Sequence, residues 1–296
     1  MTEPIVDAHH HIWRQADLPW LQGPSVPRIF GDYDAIKRDY LIDEFLRDLV
    51  GTGVTKSVYV QANWPAARAV DEVAWVQGVA DASGWPHGIV GFADLTLDTA
   101  AETMRAQAHF ALMRGVRQQL HWHENPLYRF AARPDVMNDA RFRKNLAMLQ
   151  DYDWLFELQV FASQMVDAAK LAHDFPDITF VLQHAGMPED RSPQGLKAWR
   201  EGMERLADRA NVIAKLSAMG TFVRRNDPAH VAAIVHETVA IFGADRCVWG
   251  SNFPIEKLWA RYADVLDATV QALSTLPYAE QRMILFSNAV RIYRLG

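Results

Sequence analysis

The chain has 296 residues, half of them hydrophobic, and a formal net charge of −6. That length can bury a large core in one domain, and an acidic balance without a basic patch argues against nucleic acid or anionic lipid as a partner. The single cysteine, Cys247, excludes an internal disulfide framework. No signal-like segment precedes Ile5 and no apolar run reaches membrane-spanning length, so the expectation is a cytoplasmic protein that does not engage a membrane.

Short β-type runs recur along the chain, separated by stretches of helical period. The first strand is expected over Pro4 to His9, followed by a long irregular segment, Arg14 to Asp39, and a helix over Ile42 to Val50. Strand two falls at Lys56 to Gln61, with a helix at Val70 to Ala82, and strand three at Ile89 to Ala93. Strand four is Gly115 to Leu120, and a second irregular segment, His121 to Asp139, follows it. Strand five is Leu155 to Val160, then a helix over Met165 to His173 that Phe175-Pro176 stops. Strand six is Thr179 to Gln183 with a helix over Leu196 to Ala207, and strand seven is Val212 to Ser217 with a helix over His230 to Phe242. Strand eight is Arg246 to Gly250, with a last amphipathic stretch over Tyr262 to Leu273. Eight strand-helix units in one chain predict an α/β protein, a (β/α)8 TIM barrel forming a single domain over residues 1–296. No glycine-rich phosphate loop follows the first strand, which argues against a doubly wound sheet.

Alternation along a strand sorts the polar residues, because an open barrel end is the place where inward polar groups are tolerated. Asp7, His9 and His11 are expected on one face of strand one, with His10 on the other. Two imidazoles side by side can hold a metal ion or polarise a substrate. By the same rule Tyr59, Gln61 and Asn63 share a face, as do Arg117, Gln119 and His121, then Glu157 and Gln159. Phe180, Leu182 and His184 line up on strand six, Lys215 and Ser217 on strand seven, and Val248, Gly250 and Asn252 on strand eight. A buried Lys215 calls for a carboxylate partner such as Glu157. Trp13, Trp20, Trp64, Trp122 and Tyr128 fall in the mouth loops, where aromatic rings stack on sugar or conjugated rings.

Five segments in order carry a resemblance. They are Asp7-Ala8-His9-His10-His11-Ile12-Trp13, Gly115-Val116-Arg117, Val181-Leu182-Gln183-His184-Ala185-Gly186-Met187-Pro188, Lys215-Leu216-Ser217 and Gly250-Ser251-Asn252-Phe253-Pro254. Together they resemble the amidohydrolase superfamily, in particular its lactone-hydrolysing TIM barrels of the fuconolactonase and pyrone-dicarboxylate-lactonase type. The resemblance implies a hydrolase that opens a lactone of a small sugar acid or conjugated acid by adding water to the carbonyl. A decarboxylase of a conjugated acid and a non-catalytic binder of a small acid are the alternatives. The substrate partner is then a small acidic or sugar-derived lactone, and self-association into a homo-oligomer is compatible with the chain.

The resemblance also assigns roles. His9 and His11 would hold a divalent ion, zinc by preference, with His184 as third ligand, although metal-free chemistry is equally compatible. His184 would shuttle a proton. Arg117, Gln61, Gln159, Trp64 and Trp13 would bind substrate. The family pattern ends strand eight with Asp where this chain has Asn252, and a carboxamide accepts no proton at neutral pH, so Asn252 is left to orient water. The general base is then expected among His121, His123, Glu124 and Glu157. Strand five also lacks the histidine of metal-dependent relatives and offers Glu157 and Gln159 instead.

Overall fold

The computed structural model describes residues 3–296. Its frame is an eight-stranded sheet of parallel neighbours in strict chain order. The strands are β1 Ile5–His10, β2 Val54–Val60, β3 Gly88–Gly91, β4 Met113–Gln119, β5 Leu155–Gln159, β6 Phe180–Leu182, β7 Val212–Leu216 and β8 Cys247–Trp249. The ring closes beyond β8, where the Asn252 N–H donates to His9 O and the His11 N–H to Phe253 O, each at 2.7 Å. All eight strands lie where the sequence puts them, in a TIM barrel.

The helices are α1 Ile42–Asp48, α2 Ala69–Ser83, α3 Ala100–Gln107, α4 Ala140–Ala147, α5 Met165–Asp174, α6 Pro193–Ala207, α7 Pro228–Phe242, α8 Tyr262–Leu273, α9 Tyr278–Arg282 and α10 Asn288–Ile292. Their starts carry local instructions. Asp139, Ser192 and Asp227 accept the free N–H groups of the first turns of α4, α6 and α7, and Pro193 and Pro228 begin their helices, where no amide donor is needed. Among the described residues no helix is long and apolar enough to cross a membrane.

Two apolar clusters divide the barrel. The outer one joins alternate strand residues such as Ile89, Phe156, Leu182 and Trp249 to the helices. The inner one gathers Val6, Ala8, Val58, Val60, Val90, Leu155, Val181, Ile213 and Val248 with Tyr293 and Leu295 from the C-terminal segment. Tyr293 reaches across the base of the barrel to Glu157, its hydroxyl donating at 2.5 Å. The barrel interior is therefore mostly apolar below, where the buried polar groups Glu157, Lys215 and Tyr293 satisfy one another, and its open polar groups lie toward the mouth.

This division corrects three expected faces. On β2 it is Val58 and Val60 that point inward. Tyr59 faces the helix layer, where its hydroxyl donates to Glu72 on α2 at 2.7 Å. On β6, Phe180 and Leu182 face outward and Val181 inward. On β1, Asp7 points away from His9 and His11. It accepts from Ser251 N, Ser251 Oγ and Tyr262 Oη, which lie between β1 and α8.

Candidate active site

A break in the pairing of β1 aims its histidines. Asp7 pairs with Ser57 and His10 with Tyr59, so three steps on β1 match two on β2, and one extra residue is accommodated. Such a bulge reverses the phase of the side chains. Ala8 and His9 both face inward, His10 faces out and stacks on Phe45 at 4.0 Å, and His11 faces inward again. Gly250 lies against this bulge, because a Cβ there would come within 2.6 Å of the His9 Cβ. The His9 ring then sits 5.1 Å from the His11 ring and 4.9 Å from the His184 ring, centre to centre.

His184 arrives by a different device. Strand β6 ends at Leu182, Gln183 continues inward, and His184 and Ala185 adopt left-handed backbone, with φ of 56° and 48°. This turn lays His184 over the mouth, against expectation from simple alternation. Its Nδ1 is engaged by Ser217 Oγ at 2.9 Å. Gln183, which sequence reasoning passed over beside the more conspicuous histidine, donates to Glu157 at 3.0 Å and accepts from Arg117.

These groups open into a cavity of about 330 Å³ at the mouth. His11, Arg117, Gln119, His121, Gln159, His184 and Asn252 supply its polar lining, with Arg28 at the rim. Trp13, Trp20, Phe30, Phe130 and Phe222 form its walls. Among the described residues no carboxylate lines it. Several polar atoms here are buried without a partner: Arg28 Nε, Arg117 Nε, Gln119 Oε1, His121 Nδ1 and Gln159 Oε1. Folded proteins rarely leave such groups unpaired, and their gathering around one cavity marks a ligand site.

The expected site residues divide. His9, His11, Arg117, His121, Gln159, His184, Asn252 and Trp13 come together at the mouth. Glu157 does not: it lies below the cavity, fully buried, paired with Lys215 at 2.6 Å and held by Tyr293 and Gln183. An acid so occupied has no access to a substrate water. His123 is off the cavity, with Nδ1 accepting from the Asn125 N–H and its ring against Tyr128 and Phe161. Glu124 is exposed. Gln61 contributes its carbonyl, which accepts from Arg117, while its side chain, whose Oε1 accepts from the Asn63 N–H, is not part of the lining. Trp64 sits outside the cavity against Trp75, under the Arg68 guanidinium. Thr221, Phe222 and Met187 were missed, because they enter from loops that carry no periodic signal.

Electrostatics follow from burial. Burial, then the charge of Arg117 and next of Lys215, holds His184 well below its ordinary value; burial and then Lys215 do the same for His9. Burial and Arg117 depress His11 likewise and bring His121 to about 3. The imidazoles are therefore neutral, with lone pairs available. Arg117 is itself lowered to about 10 by burial, against the pull of Glu157 and Glu72.

A zinc centre needs three or four donors converging on one point. His9 has two unpartnered ring nitrogens, and His11, whose Nδ1 is taken by Val60 O at 2.6 Å, retains Nε2. His184 is tilted 47° to His9, with one nitrogen engaged by Ser217. Among the described residues no group of three or more His, Cys, Asp or Glu side chains is arranged to hold a metal ion. His9, His11 and His184 lie side by side, but as placed their nitrogens are not arranged to hold an ion, so the site does not fit a resident three-ligand metal.

Comparisons with known proteins agree with this architecture. The amidohydrolase family model matches residues 6–295. An uncharacterized protein of Sinorhizobium fredii, y4mH, is 33% identical, with 98% of each chain covered. The L-fucono-1,5-lactonase of Burkholderia multivorans is 30% identical over 98% of this chain and 96% of its own. A crystal structure of a Burkholderia multivorans amidohydrolase with bound zinc superposes with a TM-score of 0.82 at 27% identity, covering 99% of both chains.

Proposed function

This chain belongs to the amidohydrolase family, and on that premise we propose that it opens the ring of a carboxylated lactone by adding water to the ring carbonyl. One observation carries the reading: His11, His184, Asn252 and Arg117 meet in a cavity whose charged side chains are all cationic. The lactonase relative supports lactone hydrolysis as the reaction class. The substrate class is argued from the lining.

In this reaction the water oxygen bonds to the carbonyl carbon, the ring C–O bond breaks, and the ring oxygen leaves as an alcohol. The product is a hydroxy acid. Arg117 serves the carbonyl oxygen, since its Nε has no other partner and a planar guanidinium donates well to a developing oxyanion. His184 accepts the water proton at Nε2, with Nδ1 donating to Ser217, and returns it to the leaving ring oxygen. Asn252 orients the water from strand eight. No step uses a metal.

The substrate's charge matters to the base. Arg117 and Lys215 together oppose a proton on His184. A carboxylate bound at Arg28 or Arg117 offsets that field and makes the imidazole a better proton acceptor. The aromatic walls suit a flat ring body, and the unpaired amide oxygens of Gln119 and Gln159 would accept from hydroxyl groups on it.

The test is a panel of carboxylated and neutral lactones followed by acid release, with carbon dioxide measured in parallel. Carboxylated lactones are expected to be opened with kcat/KM about tenfold or more above neutral ones. Carbon dioxide release would move the protein to the lyases, and tight binding without turnover would make it a binding protein.

A further inference from the structure

Most arginines of the loops that frame the mouth are already occupied. Arg14 and Arg68 both hold Asp17, Arg38 holds Glu44, and Arg133 pairs with Asp135 and Asp139. Arg129 spends its donors on the carbonyls of His123 and Glu124. Arg28 differs from all of these. It lines the cavity, its Nε is buried without a partner, and among the described residues no carboxylate lines the cavity to answer it. The segment around it is braced by other contacts. The Gly31 N–H donates to Arg28 O at 2.9 Å, and Tyr33 Oη accepts from the Val26 N–H at 3.2 Å. The guanidinium carbon lies 6.0 Å from the centre of the Trp20 ring, and Trp20 is itself fixed by donating to Ala62 O at 2.9 Å. Tyr33 and Phe30 pack on the same indole, with ring centres 6.0 and 6.4 Å away. The Tyr33 hydroxyl lies beside Arg28, but a phenol is no counter-ion.

We propose that Arg28 is the residue that reads the acid group of the substrate: it takes the carboxylate at the rim, while the ring carbonyl lies inward at Arg117. The second half rests on the lactonase reading; the first stands on the free guanidinium. A carboxylate accepts two parallel N–H bonds from one edge of a guanidinium, and a free Nε–H is half of such an edge. Arg117 is less suited to that part. Its terminal nitrogens already donate to Gln61 O and Gln183 Oε1, which leaves Nε as its free nitrogen. The two arginines also sit at different depths, Arg117 buried on β4 and Arg28 half-buried on the loop after β1. The acid group of the substrate is therefore placed on the side of the ring away from the reacting carbonyl.

Benzoate, a planar ring acid with no bond to hydrolyse, probes the rim without any turnover. By calorimetry, Arg28→Met should bind it about tenfold or more weakly than wild type. Arg224, from the loop after β7, packs against Gly31 but does not line the cavity, so R224M removes an equal charge nearby and should stay within about twofold of wild type. In 15N-labelled wild type the Arg28 Nε–H signal should shift when benzoate is added, a readout that needs no variant to fold. With a ring lactone offered as its carboxylate and as its methyl ester, R28M should bring the acid-to-ester ratio of kcat/KM from about tenfold down to about one. Wild type that binds no benzoate, R28M that binds it as wild type does, an R224M loss equal to that of R28M, a stationary Arg28 signal, or an unchanged acid-to-ester ratio each overturns the proposal. Benzoate binding that depends on Arg28 in a protein that opens no lactone upholds the rim site and overturns the assigned reaction. Lactone opening that ignores Arg28 does the reverse.

Discussion

Two neighbouring parts of the same barrel interior, a lower layer around Glu157 and an upper layer that lines the mouth, treat charge in opposite ways. In the lower layer Glu157 meets Lys215, Tyr293 and Gln183, while Lys215 also donates to Ala8 O at 2.9 Å, so every charged group is answered. In the upper layer Arg117, His121, Gln119 and Gln159 each hold a buried polar atom with no partner. Leaving such atoms unpaired in a protein interior costs about 1–3 kcal/mol each, more for charged groups. The lower layer is thus part of what holds the barrel together, and under the proposed function the upper layer is completed by the substrate. The comparison separates two charged residues that look alike in sequence: both oxygens of Glu157 are answered within the barrel, whereas Arg117 keeps an unpaired Nε at the cavity.

Breaking the lower layer should cost most in stability. Lys215→Met leaves the Glu157 charge buried without its partner, and we expect a loss of about 3–5 kcal/mol in denaturant unfolding. A variant as stable as wild type would show that the two layers do not differ. Breaking the upper layer should spare the fold and stop the chemistry. His184→Asn is expected to lower kcat by about 10²–10⁴-fold with the melting temperature nearly unchanged. A comparable loss of stability would place His184 with the supports.

The pH dependence sharpens the same contrast. The buried imidazoles of His9, His10, His11, His121 and His184 have folded values far below the ordinary 6.5. Below pH 6.5 the unfolded chain therefore binds more protons than the folded one, and stability falls as pH falls, by about 1.4 kcal/mol per pH unit for each net proton. Glu72 and Glu256, raised to about 7 by burial, act in the opposite sense between 4.5 and 7, where the folded chain holds the extra protons. With more histidines than acids involved, melting temperature should drop from pH 7 to pH 5. A flat or rising curve would mean that the histidines are not held neutral. The smallest effect is expected from metal removal. With the nitrogens of His9, His11 and His184 not arranged to hold an ion, chelation should leave lactone turnover within about twofold. Loss of activity restored by zinc would contradict that reading of the donor set.

Much of this was legible in the sequence because it rests on periodicity. The eight strands, their order and the placement of Arg117, Gln159 and Asn252 at the mouth follow from apolar alternation and spacing. What escaped depends on contacts between distant segments. The β1 bulge that separates Asp7 from His9 is set by Ser251 and Tyr262, far along the chain. Tyr59 turns outward because Glu72 waits in the helix layer to accept from its hydroxyl. The left-handed turn at His184 breaks alternation where a strand rule has nothing to say. Helices α3 and α4 went unseen because each is 8 residues long and low in mean hydrophobic content.

The central claim is that an all-cationic, aromatic-walled mouth selects a lactone by its negative charge. It is tested most directly by measuring kcat/KM for one lactone as its free carboxylate and as its methyl ester. The carboxylate is predicted to be preferred by about tenfold or more, with the preference shrinking as salt is added. Equal rates, or preference for the ester, would contradict the account.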